Sequence, residues 1–273
     1  MSLSKRLIRT NDTGGGNDSV PTNLTFAGSL VTTTAESRFL HVTENGEHFY
    51  TRQNTSRYWY RFTMSTPWDV TSAVSDQNFF SSQDGNRGFT MNNAGTRFYA
   101  AANVQPFINT KATTNYSISS GLTYSGFQLI SNGACWGIFR ISQDGNFMYA
   151  GPGSNSKLRQ WSLTTNDELS GSFVDISNTA IDNDSWNCAI SPNGQYLWVH
   201  NWNTVGVGNF SIYSISVNYD LSSTLTFVSS FSANFSAATN AGTAFYISPD
   251  GTKAIFADQA VTGGKAYTFN VSY

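Results

Sequence analysis

Apolar and polar residues alternate along this chain in short runs, and the runs recur. Two of them meet at a five-residue phrase, "ISPNG" at 190–194 and "ISPDG" at 247–251. Related phrases stand earlier: "VTENG" at 42–46, "MNNAG" at 91–95 and "ISQDG" at 141–145. The glycines Gly46, Gly95, Gly145, Gly194 and Gly251 are spaced by 49, 50, 49 and 57 residues. A fixed period near fifty is the signature of a repeat array, and a propeller blade has this length.

Columns around each glycine carry the pattern. Four residues before it stand Val42, Met91, Ile141, Ile190 and Ile247; six before stand Leu40, Phe89, Phe139, Cys188 and Phe245. Burial with period two predicts a strand. After the glycine come Phe49-Tyr50, Phe98-Tyr99, Met148-Tyr149, Leu197-Trp198 and Ala254-Ile255. Apolar residues on both faces predict a strand covered on both sides. Pro, Asn, Asp and Gly at the link predict a tight hairpin turn, with Gly taking the positive φ.

A third strand is expected at "YRFTMS", "TNYSIS", "RQWSLT", "SIYSIS" and "YTFNVS", with Phe62, Tyr116, Trp161, Tyr213 and Phe269 in one column. A fourth is expected at 72–80, 122–131, 168–177 and 225–232. The fifth repeat has no such text after it. "LTFAGSLV" at 24–31 matches "LTFVSSFS" at 225–232 nearly letter for letter. The expected fold is therefore all-β: a five-bladed β-propeller with four-stranded blades. A strand from the N-terminal side completes the last blade, which protects its edge. Residues 1–20 form an extended arm before the disc at 21–273. Its Gly, Asn and Ser content needs a partner, or the domain's own surface, to order it.

Composition narrows the function classes. Charged residues are 12% of the 273, the net charge is −2, and aromatics reach 15%. No basic stripe points to nucleic acid, and no run approaches the length of a membrane span. The two cysteines, Cys135 and Cys188, are too few for a disulfide framework.

"YRFTMSTPWDVTSA" at 60–73 and "ISPDGTKAIFAD" at 247–258 resemble a propeller repeat in structural proteins of tailed bacteriophages, aquatic ones especially. "SKRLIRTNDTGGG" is similar to the leading segment of virion and tail proteins from such phages. The likeness covers most of the chain as a repeat pattern. The second and third repeats depart from it, lacking the Trp-Asp pair. It implies a virion component assembled in the host cytoplasm, with tail, portal-proximal or capsid proteins as partners. It brings no catalytic residues.

Candidate chemistry is sparse. The histidines are His41, His48 and His200, with no His-x-x-x-His or Cys-x-x-Cys spacing, so no zinc site, cofactor or enzymatic activity is expected. His41 shares its column with Thr90, Arg140, Ala189 and Tyr246, so no repeat demands a ligand there. Cys188 reads as a small core residue. Asp144 and Asp250 read as turn residues rather than calcium ligands, and Trp68-Asp69 as a packed corner. Asp182 and Asp184 read as a solvated loop. Trp198 falls in a core column, whereas His200, Asn201, Trp202 and Asn203 are expected to reach a loop and form a binding patch.

Loops of variable length at 103–113, 201–209, 233–241 and 259–264 are expected on the face opposite the turns, where recognition would reside. The leading expectation is a non-enzymatic virion structural protein. Lys5, Arg6, Leu7, Ile8 and Arg9 in the arm dock it, and the disc is a tail appendage, tail-tip element or capsid decoration contacting a host-surface glycan or protein. The alternative is a lectin-like carbohydrate-binding module. A glycosidase or lactonase comes last, because it needs converging carboxylates or a metal.

Overall fold

The computed structural model describes residues 20–32, 37–53, 58–80, 88–101, 107–112, 115–119, 122–128, 138–151, 158–163, 169–176, 187–204, 207–234, 244–257 and 264–273. The arm, with Lys5, Arg6, Leu7, Ile8 and Arg9, lies outside them, as do Cys135, Asp182 and Asp184.

Each turn phrase folds for a local reason. The glycine N–H donates to the carbonyl three residues back, as in Gly46 to Thr43 and Gly194 to Ser191, both at 2.9 Å. The residue before the glycine then caps the turn. Asp250 Oδ1 accepts from the Ser248 hydroxyl at 2.5 Å and from the Thr252 N–H at 3.0 Å. Asn45, Asp144 and Asn193 do the same. Ala94 cannot, and Asn92 takes over by accepting from the N–H groups of Thr96 and Arg97, both at 2.9 Å. The five glycines sit at φ between 65° and 75°, where a Cβ is disfavoured. Asp144 and Asp250 are thus turn residues.

Around these turns the chain is all-β, in a propeller-like arrangement of small antiparallel sheets. β1 (Asn23–Val31) comes first. β2 (Ser37–Val42), β3 (His48–Gln53), β4 (Tyr58–Met64) and β5 (Ala73–Phe80) pair in chain order. So do β6 (Gly88–Met91), β7 (Arg97–Ala101), β8 (Phe107–Ala112) and β9 (Leu122–Gln128). A third sheet holds β10 (Ile138–Ile141), β11 (Phe147–Gly151), β12 (Leu158–Leu163) and β13 (Leu169–Ile176). A fourth holds β14 (Asn187–Ile190), β15 (Tyr196–Thr204), β16 (Val207–Ile215) and β17 (Leu225–Asn234). The last holds β18 (Ala244–Ile247), β19 (Lys253–Ala257) and β20 (Lys265–Ser272), and β1 lies outside β20.

β1 repeats the register of β17. Leu24 faces Val271 and Phe26 faces Phe269, just as Leu225 faces Ile215 and Phe227 faces Tyr213. Both ladders then skip one residue, Ala27 and Val228. The ladders β4–β5 and β8–β9 bulge at the same point, skipping Asp76 and Ser125. Bulges at a shared place twist each outer strand alike.

The first strands touch one another in series: β2 and β6, β6 and β10, β10 and β14, β14 and β18, then β18 and β2. The core fills the spaces between neighbouring sheets. Trp198 and Phe210 pack with Phe245, Phe256 and Phe269 of the last sheet. Phe49 and Phe62 pack with Ile255 and Ala266, and Tyr50 and Trp59 with Phe89 and Phe98. The double column after each turn is buried throughout, from Phe49-Tyr50 to Ala254-Ile255. Cys188 is buried too, and burial pushes its thiol up to about 12.

The second repeat departs from the expected alignment. Its third strand is Phe107–Ala112, and Thr110 occupies the place opposite Phe98 that Phe62 occupies opposite Phe49. Tyr116 lies beyond the strand. The segment 103–113 is accordingly strand over 107–112, and 201–209 is strand over 201–204 and 207–209. Among the described residues no helix is long and apolar enough to cross a membrane.

Candidate functional site

Tyr116 belongs with Trp68 and Tyr219. All three hold a left-handed backbone, at φ 62°, 63° and 65°. Each donates its N–H to a turn glycine: Trp68 to Gly46 at 3.0 Å, Tyr116 to Gly95 at 2.8 Å, and Tyr219 to Gly194 at 2.9 Å. Each ring lies where a Cβ on that glycine would stand. In the last sheet the Tyr273 hydroxyl reaches the Gly251 carbonyl at 2.8 Å. Two residues on, Val70, Ile118 and Leu221 are buried. The corner motif is therefore aromatic–x–aliphatic. The second repeat keeps it as Tyr116-Ser117-Ile118 although it has no Trp-Asp pair.

These corners also tie one sheet to the next. The Tyr50 hydroxyl donates to the Tyr116 carbonyl at 2.6 Å, and the Tyr149 hydroxyl to the Tyr219 carbonyl at 2.5 Å. Arg61 Nη1 also donates to the Tyr116 carbonyl at 3.1 Å, while its other nitrogens hold Asp76. Gln160 Oε1 accepts from the Leu221 N–H at 2.8 Å, and Thr268 Oγ1 from the Val70 N–H at 3.1 Å. Arg61, Gln160 and Thr268 sit at one register position of three sheets, opposite Tyr50, Tyr149 and Ile255.

Inside the circuit of first strands lies a cavity of about 80 Å³. His41, Thr90, Arg140 and Tyr246 line it, all from the column five residues before the turn glycine, with Glu44, Asn93 and Gln143 also in its wall. The fifth member of that column, Ala189, is fully buried. The column the sequence comparison treats as unrelated residues is thus a contact set. His41 Nδ1 lies 2.8 Å from the Tyr246 hydroxyl and 3.3 Å from Thr90 Oγ1. The Arg140 guanidinium stacks 3.4 Å over the Tyr246 ring and donates to the Phe245 carbonyl. Burial drives the His41 pKa down to about 3, with the positive field of Arg140 adding to it. Burial also raises the Tyr246 hydroxyl, against the pull of Arg140. At neutral pH His41 and Tyr246 are therefore uncharged, and neither is poised for proton transfer, which requires a pKa near the working pH.

Of the expected binding patch, His200 does not reach a loop. His200 is 1% exposed, and burial lowers its pKa to about 4. Its ring lies 5.0 Å from that of Phe210, so it is a core residue. The same position, six residues after the turn glycine, is buried in other sheets too, at Arg52 and Ala257. Asn201, Trp202 and Asn203 continue β15 rather than form a loop; their side chains lie outside the described residues. Trp198 is core, as its column predicts. His48 lies 2.9 Å from Thr63 Oγ1 and its pKa is lowered, by burial first. Among the described residues no three His, Cys, Asp or Glu side chains converge as a metal site would need.

No protein-family model matches the chain, and no curated protein matches it. Among solved structures it is similar to hydrazine synthase from Kuenenia stuttgartiensis, with a TM-score of 0.49 and 11% identity over 84% of this chain and 57% of that one. It is also similar to a functionally unknown protein from Desulfotomaculum acetoxidans, with a TM-score of 0.47 and 12% identity over 83% of this chain and 64% of that one. The chain spans less than two thirds of either structure. At this similarity neither says anything about the chemistry of this chain.

Proposed function

We propose that the five sheets are the blades of one closed five-bladed propeller, that β1 completes the last blade, and that the disc is a non-enzymatic structural part of a tailed-phage virion. Three features support the closed disc: the serial contacts of the first strands, the shared register of β1 and β17, and the corners that tie sheet to sheet. The observation that carries the non-enzymatic reading is the state of the axis. His41, Thr90, Tyr246 and Arg140 are committed to one another, and the two that could move a proton are held far from neutral pKa values.

The virion assignment rests on the sequence resemblance at 60–73 and 247–258 and on the leading segment. In this reading the segment before Val20 docks to a neighbouring tail, portal-proximal or capsid protein, and the disc faces outward. Deleting residues 1–20 tests it. The truncated protein keeps its cooperative unfolding and is missing from purified particles; incorporation at the full level overturns the docking role.

A further inference from the structure

The cavity is layered by register. Its rim holds the residue two places before each turn glycine: Glu44, Asn93, Gln143, Pro192 and Pro249, all partly exposed. Beneath them comes the residue four places before: Val42, Met91, Ile141, Ile190 and Ile247. The floor is the column of His41, Thr90, Arg140 and Tyr246.

The rim is held in shape. Asn93 Nδ2 donates to the Gln143 carbonyl at 2.7 Å, the Tyr116 hydroxyl to the Asn93 carbonyl at 2.6 Å, and the Tyr219 hydroxyl to the Pro192 carbonyl. Tyr116, Tyr219 and Trp68 themselves line the cavity. A wall fixed in advance loses little freedom when a ligand enters.

Glu44 is the exception. It is the charged member of the rim, and among the described residues no hydrogen bond or ion pair holds its carboxylate. Its field nevertheless reaches two rings of the wall. Burial raises the Tyr116 hydroxyl, with Glu44 adding to it. Burial raises that of Tyr219 to about 12, with Asp144 and then Glu44 adding. Glu44 stands in the first sheet and Tyr219 in the fourth. β2 contacts β6 and β18, whereas β14 contacts β10 and β18. The field of Glu44 therefore acts across the cavity. At the floor the field is opposite, because Arg140 lowers the pKa of His41 after burial. The cavity is thus negative at its rim, apolar in its middle and positive at its floor. A cation is favoured at the rim alone, where aromatic faces can add cation–π attraction, and an alkyl chain suits the layer beneath.

We propose that the cavity binds an alkylammonium group, its charge beside Glu44 at the rim and its stem among the five aliphatic side chains. A volume of about 80 Å³ suits a short chain. A free amine or the lysine side chain of a partner carries this group. The site is independent of the virion reading and involves no reaction.

An amide NMR titration of the full chain with n-butylammonium, at fixed ionic strength and neutral pH, tests the proposal. Saturable shifts are expected at the amides of Glu44, Asn93 and Gln143, with one site per chain. Neutral n-butanol should bind about tenfold more weakly, and Glu44→Gln should weaken n-butylammonium by a similar factor. The unfolding midpoint of Glu44→Gln without ligand should match the wild type, because nothing in the fold hangs on that carboxylate. If the variant does not fold, the comparison of n-butylammonium with n-butanol on the wild type decides. Nα-acetyl-lysinamide separates the two sources: shifts at the same amides admit a partner's lysine, and their absence beside an n-butylammonium response restricts the site to free amines. No response at the rim, n-butanol binding as tightly as n-butylammonium, or unchanged binding in a folded Glu44→Gln overturns the proposal.

Discussion

The turns and the strand positions that line the cavity are built from the same repeats, yet they use repetition in opposite ways. At the turns, one solution is written again and again: a positive-φ glycine, a side-chain cap and, over four of the five, an aromatic residue. Five residues upstream, the strand position is equally regular in backbone but holds His41, Thr90, Arg140, Ala189 and Tyr246. Backbone geometry constrains the turns residue by residue. The column is constrained instead by the fit of His41, Thr90, Arg140 and Tyr246 to one another. Variation inside a repeat therefore marks where the repeats stop being equivalent neighbours and meet face to face.

The sharpest break within this comparison lies at the third turn. Among the described residues, nothing comes within 4 Å of a Cβ built on Gly145, whereas on Gly194 it would stand 2.7 Å from the Tyr219 ring. Both glycines have similar φ, +73° and +75°. Gly145→Ala should then cost only the backbone penalty, about 1–2 kcal/mol. Gly194→Ala should add displacement of the ring, for about 3 kcal/mol in all. Urea unfolding checks this, and equal losses would show that the aromatic cover is not what distinguishes the turns.

Two buried histidines, one in the cavity wall and one in the core, make a pH prediction. Burial holds the folded pKa values of His41 and His200, about 3 and about 4, below the ordinary histidine value of 6.5. The unfolded chain therefore binds more protons between these limits. Stability is full above about pH 6.5 and falls as pH drops toward 4, by up to about 1.4 kcal/mol per pH unit for each histidine. His41→Gln should flatten part of that slope in denaturant titrations at successive pH values. An unchanged slope would remove His41 from the account.

Smaller effects separate the inter-sheet ties. Tyr149→Phe removes the described donor to the Tyr219 carbonyl and should cost about 1 kcal/mol. Tyr50→Phe should cost less, because Arg61 still serves the Tyr116 carbonyl. Thermal midpoints of the pair give the order directly. Asp76→Asn weakens a pair whose carboxylate side chain is 33% exposed, and should cost about 0.5 kcal/mol or less. A larger loss would mean that Arg61 depends on Asp76 to reach the next sheet.

Much of this was legible in the residues. Alternation and turn chemistry are local, so the strands beside each glycine, the buried Cys188 and Trp198, and the turn role of Asp144 and Asp250 could be read directly. The β1–β20 pairing was readable from one octet that resembles another. Tyr116 was not, because "TNYSIS" imitates a third strand in letters while the strand itself is the less apolar "FINTKA". The imitation resolves once φ is known: Tyr116 sits in a left-handed corner with Trp68 and Tyr219.

His200 was misplaced for a different reason. Its position is buried in other repeats as well, at Arg52 and Ala257, and its ring packs on Phe210 of the neighbouring strand, a contact that the alternation of one strand does not name. The cavity-lining set is not legible in the residues, because a column of a repeat shows sameness, whereas side chains that meet across a cavity need complementarity.

The ladder between β1 and β20 has a mechanical consequence. Asn23 begins it opposite Ser272, and Val31 ends it opposite Lys265. A pull applied upstream of Asn23 and directed along β1 would slide that strand lengthwise against its partner. The cross-strand bonds would then share the tension at once, instead of parting singly as in a peeled zipper. Whatever seizes the preceding segment thus grips the sheet in its stiffest direction.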